Sequence, residues 1–508
     1  MESISSSARA GVRPQLFVVS NREPYLHTQQ PDGTISWSPT TGGVAVALDA
    51  LMRERGGTWI AHGAGSADRD VVDERDRVAV PPGTPAYTLK RIWLSAEEEA
   101  RYYGGFSNEG LWPLCHIAHV RPTFRSEDWE AYQRVNARFA EAIAGEMTDP
   151  AAPVFIQDYH LALVAAELRA RVPAARTALF WHIPWPHPDA WRICPWRAEI
   201  VAGLLANDLL AFQLERDRRN FLQCVRDETS APVEKSTVIV GDHRTTVVSA
   251  PIGVDYDRIS GLANDPALAS ETARLRRELH LDAPGIEIIG VGVDRLDYTK
   301  GIPERLMAVD RLLTQFPDLG SRFAFVQVGV PSRSKLESYA SVEQEIDALV
   351  ADINRRHGGD ERNGPIRYRK TSFKMRRLVA LYRLATFCVV SSLHDGMNLV
   401  AKEFVAARTD DQGVLVLSEM TGAAQELGEA LIINPYDVDG FAAALRQAID
   451  MPADEARRRM RAMRRTVAGH DVFLWASEIL QGLERVAPRS VRGPWIERRR
   501  QPRIASLT

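Results

Sequence analysis

Two cationic side chains share a short polar loop that follows an apolar segment. Arg295 and Lys300 belong to the stretch Asp294-Arg295-Leu296-Asp297-Tyr298-Thr299-Lys300-Gly301. An Arg offers a bidentate fork and a Lys a compact point charge, so the pair suits two oxygens of one diphosphate and the negative charge that develops when it leaves. The alternative is that they pair with Asp294 and Asp297 as ordinary surface ions. The spacing alone leaves both interpretations open.

A second polar loop follows another apolar segment and leads into helical spacing, from Ser391 to Glu403. The carboxylate of Asp395 is placed to accept hydrogen bonds from sugar hydroxyls, although an N-cap role alone would also explain it. The amides of Asn398 to Val400 are expected at a helix start, which attracts anions. Glu403 lies about two helical turns beyond Asp395 and is a candidate acceptor for both hydroxyls of a ribose.

Further candidates follow apolar runs elsewhere in the chain. Near the N-terminus, Arg22 is followed after a polar stretch by Gly42 and Gly43, which precede a helical pattern. Two glycines there let a phosphate approach backbone amides, although a tight turn needing positive φ explains them equally well. Asp158, His182 and Arg333 each follow an apolar run as well. Individually such residues are more often structural, and His182 could be a buried histidine with satisfied hydrogen bonds.

These loops imply a regular framework of buried strands that positions them. Short apolar runs repeatedly precede a polar or Gly-rich turn and then a segment with helical spacing, which is typical of a parallel sheet covered by helices. The predicted strands are residues 16–20, 154–156, 178–181, 287–293, 323–330, 387–391, 414–417 and 430–433. The sequence therefore predicts an α/β protein of two Rossmann-like, doubly wound domains, with ligands in the cleft between the carboxyl ends of their strands.

The chain length and a break in the alternation of strands and helices give the expected domain boundaries. A chain of 508 residues with 45% apolar content is large enough for two cores, and Pro251 and Gly253 interrupt the pattern between the two series of strands. The expected segments are a flexible tail over 1–14, domains over 15–251 and 252–470, a helix crossing back over 471–488, and a basic tail over 489–508.

Composition narrows the possible partners and the compartment. The formal charge of −3 gives no sequence-wide basic field for nucleic acid or an anionic membrane, and no apolar run of about 18 residues predicts a spanning helix. The four cysteines are scattered and form no C-x-x-C pair, which fits neither a disulfide framework nor a zinc site. We therefore expect a soluble cytoplasmic protein with small-molecule substrates, compatible with a homo-oligomer.

Several long, ordered motifs carry a resemblance over roughly residues 16–488: Tyr102-Tyr103 through Phe106-Ser107-Asn108, Leu111-Trp112-Pro113, Asp158-Tyr159-His160, His182-Ile183-Pro184, Arg295 to Gly301, and Asp395 to Glu403. The chain resembles the trehalose-6-phosphate synthase family of retaining glycosyltransferases, glycosyltransferase family 20, which adopts the two-domain GT-B architecture. The resemblance implies UDP-glucose as donor, glucose 6-phosphate as acceptor, trehalose 6-phosphate and UDP as products, and neither a metal nor another cofactor.

The resemblance also assigns roles to matching residues. The second domain would hold the donor, through Gly42, Gly43, Arg295, Lys300, Phe373, Asp395, Gly396, Met397, Asn398, Leu399, Val400 and Glu403, with both glycines contributed by a mobile loop of the first domain. The acceptor would be held by Arg22, Tyr103, Trp112 and Asp158 of the first domain and by Arg333 of the second. The implied catalytic set is His182, beside the reacting centre, with Arg295, Lys300 and Asp395.

Two departures from the family pattern leave alternatives open. His62 stands where the family commonly has a Trp near the acceptor, and His394 stands where an Arg commonly precedes the Asp-Gly-Met-Asn segment. The first departure bears on acceptor identity, so glycerol 3-phosphate is an alternative acceptor. A catalytically silent sensor of sugar phosphates is a further alternative, although the presence of Arg295, Lys300 and Asp395 argues against it.

Overall fold

The computed structural model describes residues 15–40, 43–333, 336–360 and 362–486. The two predicted tails, residues 1–14 and 489–508, lie outside this range, as do Gly42 and the last two residues of the predicted crossing helix. In the part of the chain that is described, no helix combines the length and apolar character needed to cross a membrane.

The first half of the chain forms a large mixed sheet. Its strands, with a separate hairpin of β2 and β3, are β1 Phe17–Arg22, β2 Tyr25–Gln29, β3 Ile35–Pro39, β4 Thr58–His62, β5 Arg77–Val80, β6 Tyr87–Ile92, β7 Pro153–Gln157, β8 Arg176–Trp181, β9 Leu209–Phe212, β10 Val233–Glu234, β11 Thr237–Val240 and β12 His243–Ser249. The strand order is β10-β11-β12-β9-β8-β7-β1-β4-β6-β5. The strands from β12 to β6 are parallel, and β5, β10 and β11 add antiparallel edges.

The second half forms a smaller sheet in which every pairing is parallel. Its strands are β13 Ile288–Arg295, β14 Phe323–Val330, β15 Ile366–Lys370, β16 Phe387–Val390, β17 Val414–Ser418 and β18 Leu431–Ile433. They lie in the order β15-β14-β13-β16-β17-β18. The chain thus builds outward from β13 on one side and then returns to its other side, which is the doubly wound pattern.

Helices cover both sheets. The first half contains α1 Gly43–Arg55, α2 Ala96–Glu99, α3 Trp112–His116, α4 Ser126–Glu146, α5 Val164–Arg171, α6 Pro188–Trp191, α7 Arg197–Leu204 and α8 Glu215–Glu228. The second half contains α9 Tyr256–Asn264, α10 Leu268–Glu278, α11 Ile302–Gln315, α12 Glu337–Arg356, α13 Met375–Leu384, α14 Leu399–Ala407, α15 Val438–Asp450, α16 Ala453–Gly469 and α17 Val472–Glu484. A π-helical segment, Ala100–Leu111, joins α2 to α3.

The central strands are buried along almost their whole length because both faces are covered. In β13, every residue before Arg295 is buried, and in β16 all four residues are buried. Such runs do not alternate between apolar and polar residues, which is why they are recognisable as strands of a covered parallel sheet. The predicted α/β class with two doubly wound sheets is confirmed.

The last helix packs against the first sheet. In α17, Trp475 contacts the rings of Phe155 and Phe180, with ring centroids 5.6 and 5.0 Å apart. The two segments that connect the sheets also contact each other, because a Cβ on Gly253 would lie 2.1 Å from the carbonyl oxygen of His470. The absence of a side chain at residue 253 is therefore required where the chain enters and leaves the second unit.

Candidate active site

The candidate residues lie at the switch points of the two sheets. In the first sheet β1 lies between β7 and β4, and in the second sheet β13 lies between β14 and β16. Arg22 ends β1 and Asp158 follows β7, while Arg295 ends β13 and Asp395 lies in the loop after β16. Ligands of doubly wound sheets bind outside the carboxyl ends of the strands at these points.

Lys300 and Asp395 form a close ion pair in the second sheet. The Nζ atom of Lys300 lies 2.5 Å from Oδ2 of Asp395, which also accepts hydrogen bonds of 3.2 Å from Ser392 and Asn398. Burial raises the pKa of Asp395, but the charge of Lys300 outweighs it and lowers this pKa to about 2. We call Lys300, Ser392, Asp395 and Asn398 the lysine–aspartate cluster.

Arg295 is the more open of the two predicted cations. Its side chain is 35% exposed, and its closest carboxylate oxygen is Oδ2 of Asp297 at 3.8 Å. Asp294 does not pair with either predicted cation, because it accepts a 2.7 Å hydrogen bond from the buried Arg305. The surface-ion interpretation is therefore wrong for Lys300 and Asp294, while Arg295 keeps a loose contact with Asp297 and an open side.

The helix start after Asp395 is built by close backbone packing. Helix α14 begins at Leu399, and Asn398 occupies the capping position with φ of 77°. Asp395 is thus not the N-cap, and Glu403 lies only one turn inside the helix, not two.

The loop before this helix packs closely against the first sheet. A Cβ at Gly396 would lie 2.3 Å from the carbonyl oxygen of His182. Only glycine therefore allows this loop to approach the first sheet so closely. Met397 is buried, and Leu399 and Val400 are half-buried.

Glu403 and Phe373 line the same side of the second sheet. Glu403 is 8% exposed, and the hydroxyl of Tyr382 donates a 3.2 Å hydrogen bond to its Oε2. Burial raises the pKa of Glu403 to about 7. Phe373 is 7% exposed and lies under the guanidinium of Arg377, whose Cζ is 4.5 Å from the ring centroid.

Tyr103 lies between two arginines. Its hydroxyl oxygen accepts hydrogen bonds from Arg22 at 3.2 Å and from Arg333 at 3.5 Å, and its ring stacks on His160 with centroids 5.5 Å apart. Burial would raise the pKa of Tyr103, but the charges of Arg333 and Arg22 outweigh it and lower this pKa to about 7.

Arg333 extends from the second sheet toward aromatic residues of the first half of the chain and also contacts Tyr339 of α12. It lies in the loop after β14, and its side chain is only 5% exposed. The guanidinium lies 4.3 Å from the ring centroid of Trp112 and donates hydrogen bonds to the hydroxyls of Tyr339, at 2.6 Å, and Tyr159, at 3.4 Å. These are cation–π and hydrogen-bond contacts that hold a desolvated cation. We call Arg22, Tyr103, Trp112, Tyr159 and Arg333 the tyrosine–arginine cluster.

Asp158 and His182 meet beside this cluster. The backbone amide of His182 donates a 3.1 Å hydrogen bond to Asp158, and burial raises the pKa of Asp158 to about 6. The imidazole of His182 lies 2.9 Å from Gln157 through Nε2 and 3.5 Å from Gln213 through Nδ1. Burial lowers the pKa of His182 to about 3, so the ring is neutral. It is thus a half-buried histidine with hydrogen-bond partners on both nitrogens.

The two departures from the family pattern lie at this cleft. His62 ends β4 and is in register with Arg22 on β1, and burial lowers the pKa of His62. His394 makes a contact between the sheets, because its Nδ1 lies 2.7 Å from the carbonyl oxygen of His116. Burial also lowers the pKa of His394.

The two sheets bring five of the predicted residues into mutual contact: Arg22, Tyr103, Trp112, Arg295 and Arg333. Gly42 lies outside the described residues, and Gly43 begins α1. Two groups that contact Arg333, Tyr159 and Tyr339, were not among the candidate residues predicted from the sequence. Tyr159 lies in one of the family motifs, and Tyr339 lies in none of them. Within the described ranges, no group of three or more His, Cys, Asp or Glu side chains is arranged to hold a metal ion.

Known proteins share this architecture along nearly the whole chain. A trehalose-6-phosphate synthase of Mycolicibacterium smegmatis is 40% identical over 476 residues, covering 92% of each chain. A Burkholderia xenovorans α,α-trehalose-phosphate synthase (UDP-forming), solved in complex with glucose-6-phosphate, has a TM-score of 0.81 at 33% identity and covers 92% of this chain and 100% of that one. An E. coli structure bound with UDP-2-fluoro glucose has a TM-score of 0.82 at 32% identity, with 94% and 100% covered.

These matches confirm the GT-B arrangement predicted for the two doubly wound units. The profile of glycosyltransferase family 20 matches residues 14–485. The match includes both switch points and all the loops that carry the two clusters. The chain therefore belongs to glycosyltransferase family 20.

Proposed function

We propose that this chain transfers glucose from UDP-glucose to glucose 6-phosphate with retention at the anomeric carbon, giving α,α-trehalose 6-phosphate and UDP. One observation carries the proposal: Arg333 of the second sheet lies within the tyrosine–arginine cluster of the first, beside the partly open Arg295. Two anion-binding groups therefore face one cleft. The named relatives and the ligands of the similar structures support the same pair of substrates.

The donor is assigned to the second sheet. Arg295 and Lys300 face the diphosphate, Asp395 accepts hydrogen bonds from the glucose hydroxyls, and Glu403 accepts those of the ribose. The Arg295 side chain is 35% exposed and thus available to a ligand. The remaining donor contacts are assigned to Gly42 and Gly43 of the first domain, to Phe373, and to the segment that begins α14: Gly396, Met397, Asn398, Leu399 and Val400.

The acceptor is assigned to the first sheet and to Arg333. Arg22, Tyr103 and Arg333 face the 6-phosphate, and Trp112 and Asp158 contact the sugar. The hydroxyl of Tyr103 already accepts hydrogen bonds from both arginines, which supports a site for a dianion between them. Aromatic rings hold the planar guanidinium of Arg333 in place, so it can bind phosphate oxygens with little loss of side-chain entropy.

The proposed reaction needs no protein nucleophile. The bond between the anomeric carbon of the donor and the diphosphate oxygen breaks, while the acceptor's anomeric hydroxyl oxygen bonds to that carbon from the same face. The hydroxyl proton passes to an oxygen of the leaving diphosphate. Arg295 and Lys300 stabilise the charge that develops there, and neutral His182 lies beside the reacting centre. The Asp395 carboxylate stays paired with Lys300 and orients the glucose.

We propose that the chain divides near residue 251 into an acceptor domain and a donor domain, with residues 471–488 crossing back. The contact of Gly253 with His470 and the packing of Trp475 on Phe155 support this division. We also propose a cytoplasmic location, which the four free, buried cysteines support. A metal, a nucleic acid and a membrane have no part in the proposal.

Product analysis tests the proposed reaction. Purified protein is incubated with UDP-glucose and either glucose 6-phosphate or glycerol 3-phosphate, and the products are identified by mass spectrometry and by NMR of the anomeric protons. We expect a phosphorylated, non-reducing disaccharide with two α linkages from glucose 6-phosphate only. Product from glycerol 3-phosphate alone would assign the other acceptor, and absence of UDP release with either one would favour the silent sensor.

A further inference from the structure

The motif from Tyr102 to Asn108 contains a buried amide side chain, that of Asn108, to which the proposed reaction assigns no role. Asn108 is 2% exposed and lies in the π-helical segment Ala100–Leu111, which also carries Tyr103. In a π-helix, residues five apart lie one above the other, as Tyr103 and Asn108 do, and such segments are frequent at functional sites. The segment therefore places the Asn108 amide over the backbone of a residue that contacts both arginines.

Both ends of the Asn108 amide are used. Its Nδ2 donates a 2.6 Å hydrogen bond to the carbonyl oxygen of Tyr103, and its Oδ1 accepts a 2.9 Å hydrogen bond from the hydroxyl of Tyr159. Tyr103 and Tyr159 are two of the hydroxyl-bearing residues around Arg333. A single side chain thus connects two parts of the tyrosine–arginine cluster that are far apart in sequence.

The donors and acceptors around Tyr159 determine where its hydroxyl proton points. A guanidinium carries only donors, so Arg333 can interact with the Tyr159 oxygen only as a donor. A tyrosine hydroxyl has one proton, and here that proton points to Oδ1 of Asn108. The lone pairs of the Tyr159 oxygen are therefore turned toward Arg333. Without an acceptor at position 108, the hydroxyl could rotate and direct its proton at the guanidinium.

We propose that Asn108 is a positioning residue for the acceptor phosphate, which orients the Tyr159 hydroxyl and the Tyr103 backbone so that the Arg333 fork is held in one geometry. The inference rests on the proposed function, because it assigns Arg333 to the phosphate of glucose 6-phosphate. Asn108 itself touches no substrate. Its effect reaches the phosphate through Tyr159, Tyr103 and Arg333.

Steady-state kinetics of Asn108→Ala tests the proposal. We expect the KM for glucose 6-phosphate to rise about 10-fold, the effect of losing one oriented hydrogen bond to a charged group, with the KM for UDP-glucose nearly unchanged. An unchanged KM for glucose 6-phosphate in Asn108→Ala would overturn the proposal.

A matched control separates positioning from stability. Asn354 is also 2% exposed and makes two hydrogen bonds with the backbone of Ile366, away from both clusters. We expect Asn354→Ala to lower the melting temperature without a selective change in the KM for glucose 6-phosphate. Equal rises in both KM values in Asn108→Ala, with the same loss of melting temperature as Asn354→Ala, would reduce Asn108 to a structural residue.

A double-mutant cycle tests the route through Tyr159. If Asn108 acts by orienting that hydroxyl, Tyr159→Phe should raise the KM for glucose 6-phosphate, and the double variant should be little worse than the worse single variant. Full additivity would contradict this route. The outcome is distinct from failure of the proposed function, because in that case the unmodified chain itself would form no disaccharide product.

Discussion

The two clusters that face the cleft hold their cations in opposite ways. In the lysine–aspartate cluster, Lys300 is paired with a carboxylate at 2.5 Å, so the pair is neutral before any ligand arrives. In the tyrosine–arginine cluster, Arg333 is surrounded by rings and hydroxyls, with Trp112 at 4.3 Å and Tyr339 at 2.6 Å. Its closest carboxylate oxygen is that of Asp297 at 3.6 Å.

The difference matches the charge of what each cluster would bind. A neutral, hydrogen-bonded pair has a fixed geometry and suits a sugar whose hydroxyls need both donors and acceptors. A phosphate dianion instead needs a net positive site whose guanidiniums are not already occupied by carboxylates. Aromatic rings and phenols make the short contacts of Arg333, while its one nearby carboxylate, that of Asp297, lies beyond hydrogen-bond distance and is shared with Arg295. The predictions below test this division from the largest expected effect to the smallest.

Removing the ammonium group should have the largest effect. Lys300→Ala leaves the buried Asp395 carboxylate without its counter-ion and takes one cation from the leaving diphosphate, so we expect kcat to fall about 100-fold or more. Steady-state kinetics at saturating substrates measures the loss. Lys370→Ala is the control, because Lys370 pairs with Glu343 and Asp347 at an exposed site. Turnover near that of the unmodified chain in Lys300→Ala would contradict the assignment.

Replacing Arg333 should act on the acceptor instead. Arg333→Lys keeps the charge but loses the planar fork and the contact with Trp112, so we expect the KM for glucose 6-phosphate to rise about 10- to 100-fold. The KM for UDP-glucose should change little. Arg322→Lys, at an exposed ion pair with Glu287, serves as the control. A larger rise in the KM for the donor than for the acceptor would reverse the assignment of the two clusters.

The tyrosine–arginine cluster should also respond to pH. Because the pKa of Tyr103 is lowered to about 7, its phenol loses a proton as pH rises from 7 to 9 and adds a negative charge beside the arginines. The second pKa of a phosphate ester is about 6, so the acceptor is already a dianion in this range. We expect the KM for glucose 6-phosphate to increase several-fold over this range, up to about 10-fold. The Tyr103→Phe variant should show no such increase, and an identical pH profile would be inconsistent with this origin.

Glu403 should give the smallest effect, with the opposite sign. Burial raises its pKa to about 7, so the carboxyl gains a proton as pH falls from 8 to 6 and loses capacity to accept two ribose hydroxyls. We expect the KM for UDP-glucose to rise a few-fold as pH falls, without a matching change for glucose 6-phosphate. Glu403→Gln should have a raised KM for UDP-glucose that does not vary over this range. If the KM for UDP-glucose of Glu403→Gln varies with pH as it does for the unmodified chain, a group other than Glu403 causes the pH dependence.

The sequence predicted several strands that are covered on both faces, but not β4 and β9, although every residue of those two strands is buried. The predicted strand at 323–330 coincides with β14 Phe323–Val330, because Gln327 is the one polar side chain in that run. The hairpin of β2 and β3 was not predicted, because all five residues of β3 are exposed and form no continuous apolar run. The short antiparallel strands β5 and β10 were not predicted either, because their pairing depends on the neighbouring strands and not on an apolar run.

The sequence predicted which loops carry the candidate residues but not how those residues pair. The sequence placed Lys300 after a strand, yet its partner is Asp395, far along the chain, and not the adjacent Asp297. The contact of Arg333 with aromatic residues of the first half of the chain depends on how two sheets face each other, which no local pattern encodes. The π-helical register that aligns Asn108 with Tyr103 is likewise invisible in apolar spacing, because it is a choice among helical hydrogen-bond patterns.

The most direct test of the central claim is a crystal structure with UDP and glucose 6-phosphate bound together. The account predicts diphosphate oxygens within hydrogen-bond distance of Arg295 and Lys300, and the 6-phosphate on Arg22, Tyr103 and Arg333 in the same cleft. It would be contradicted if the 6-phosphate bound away from Arg333, or if Arg295 and Lys300 turned toward bulk water with UDP bound elsewhere.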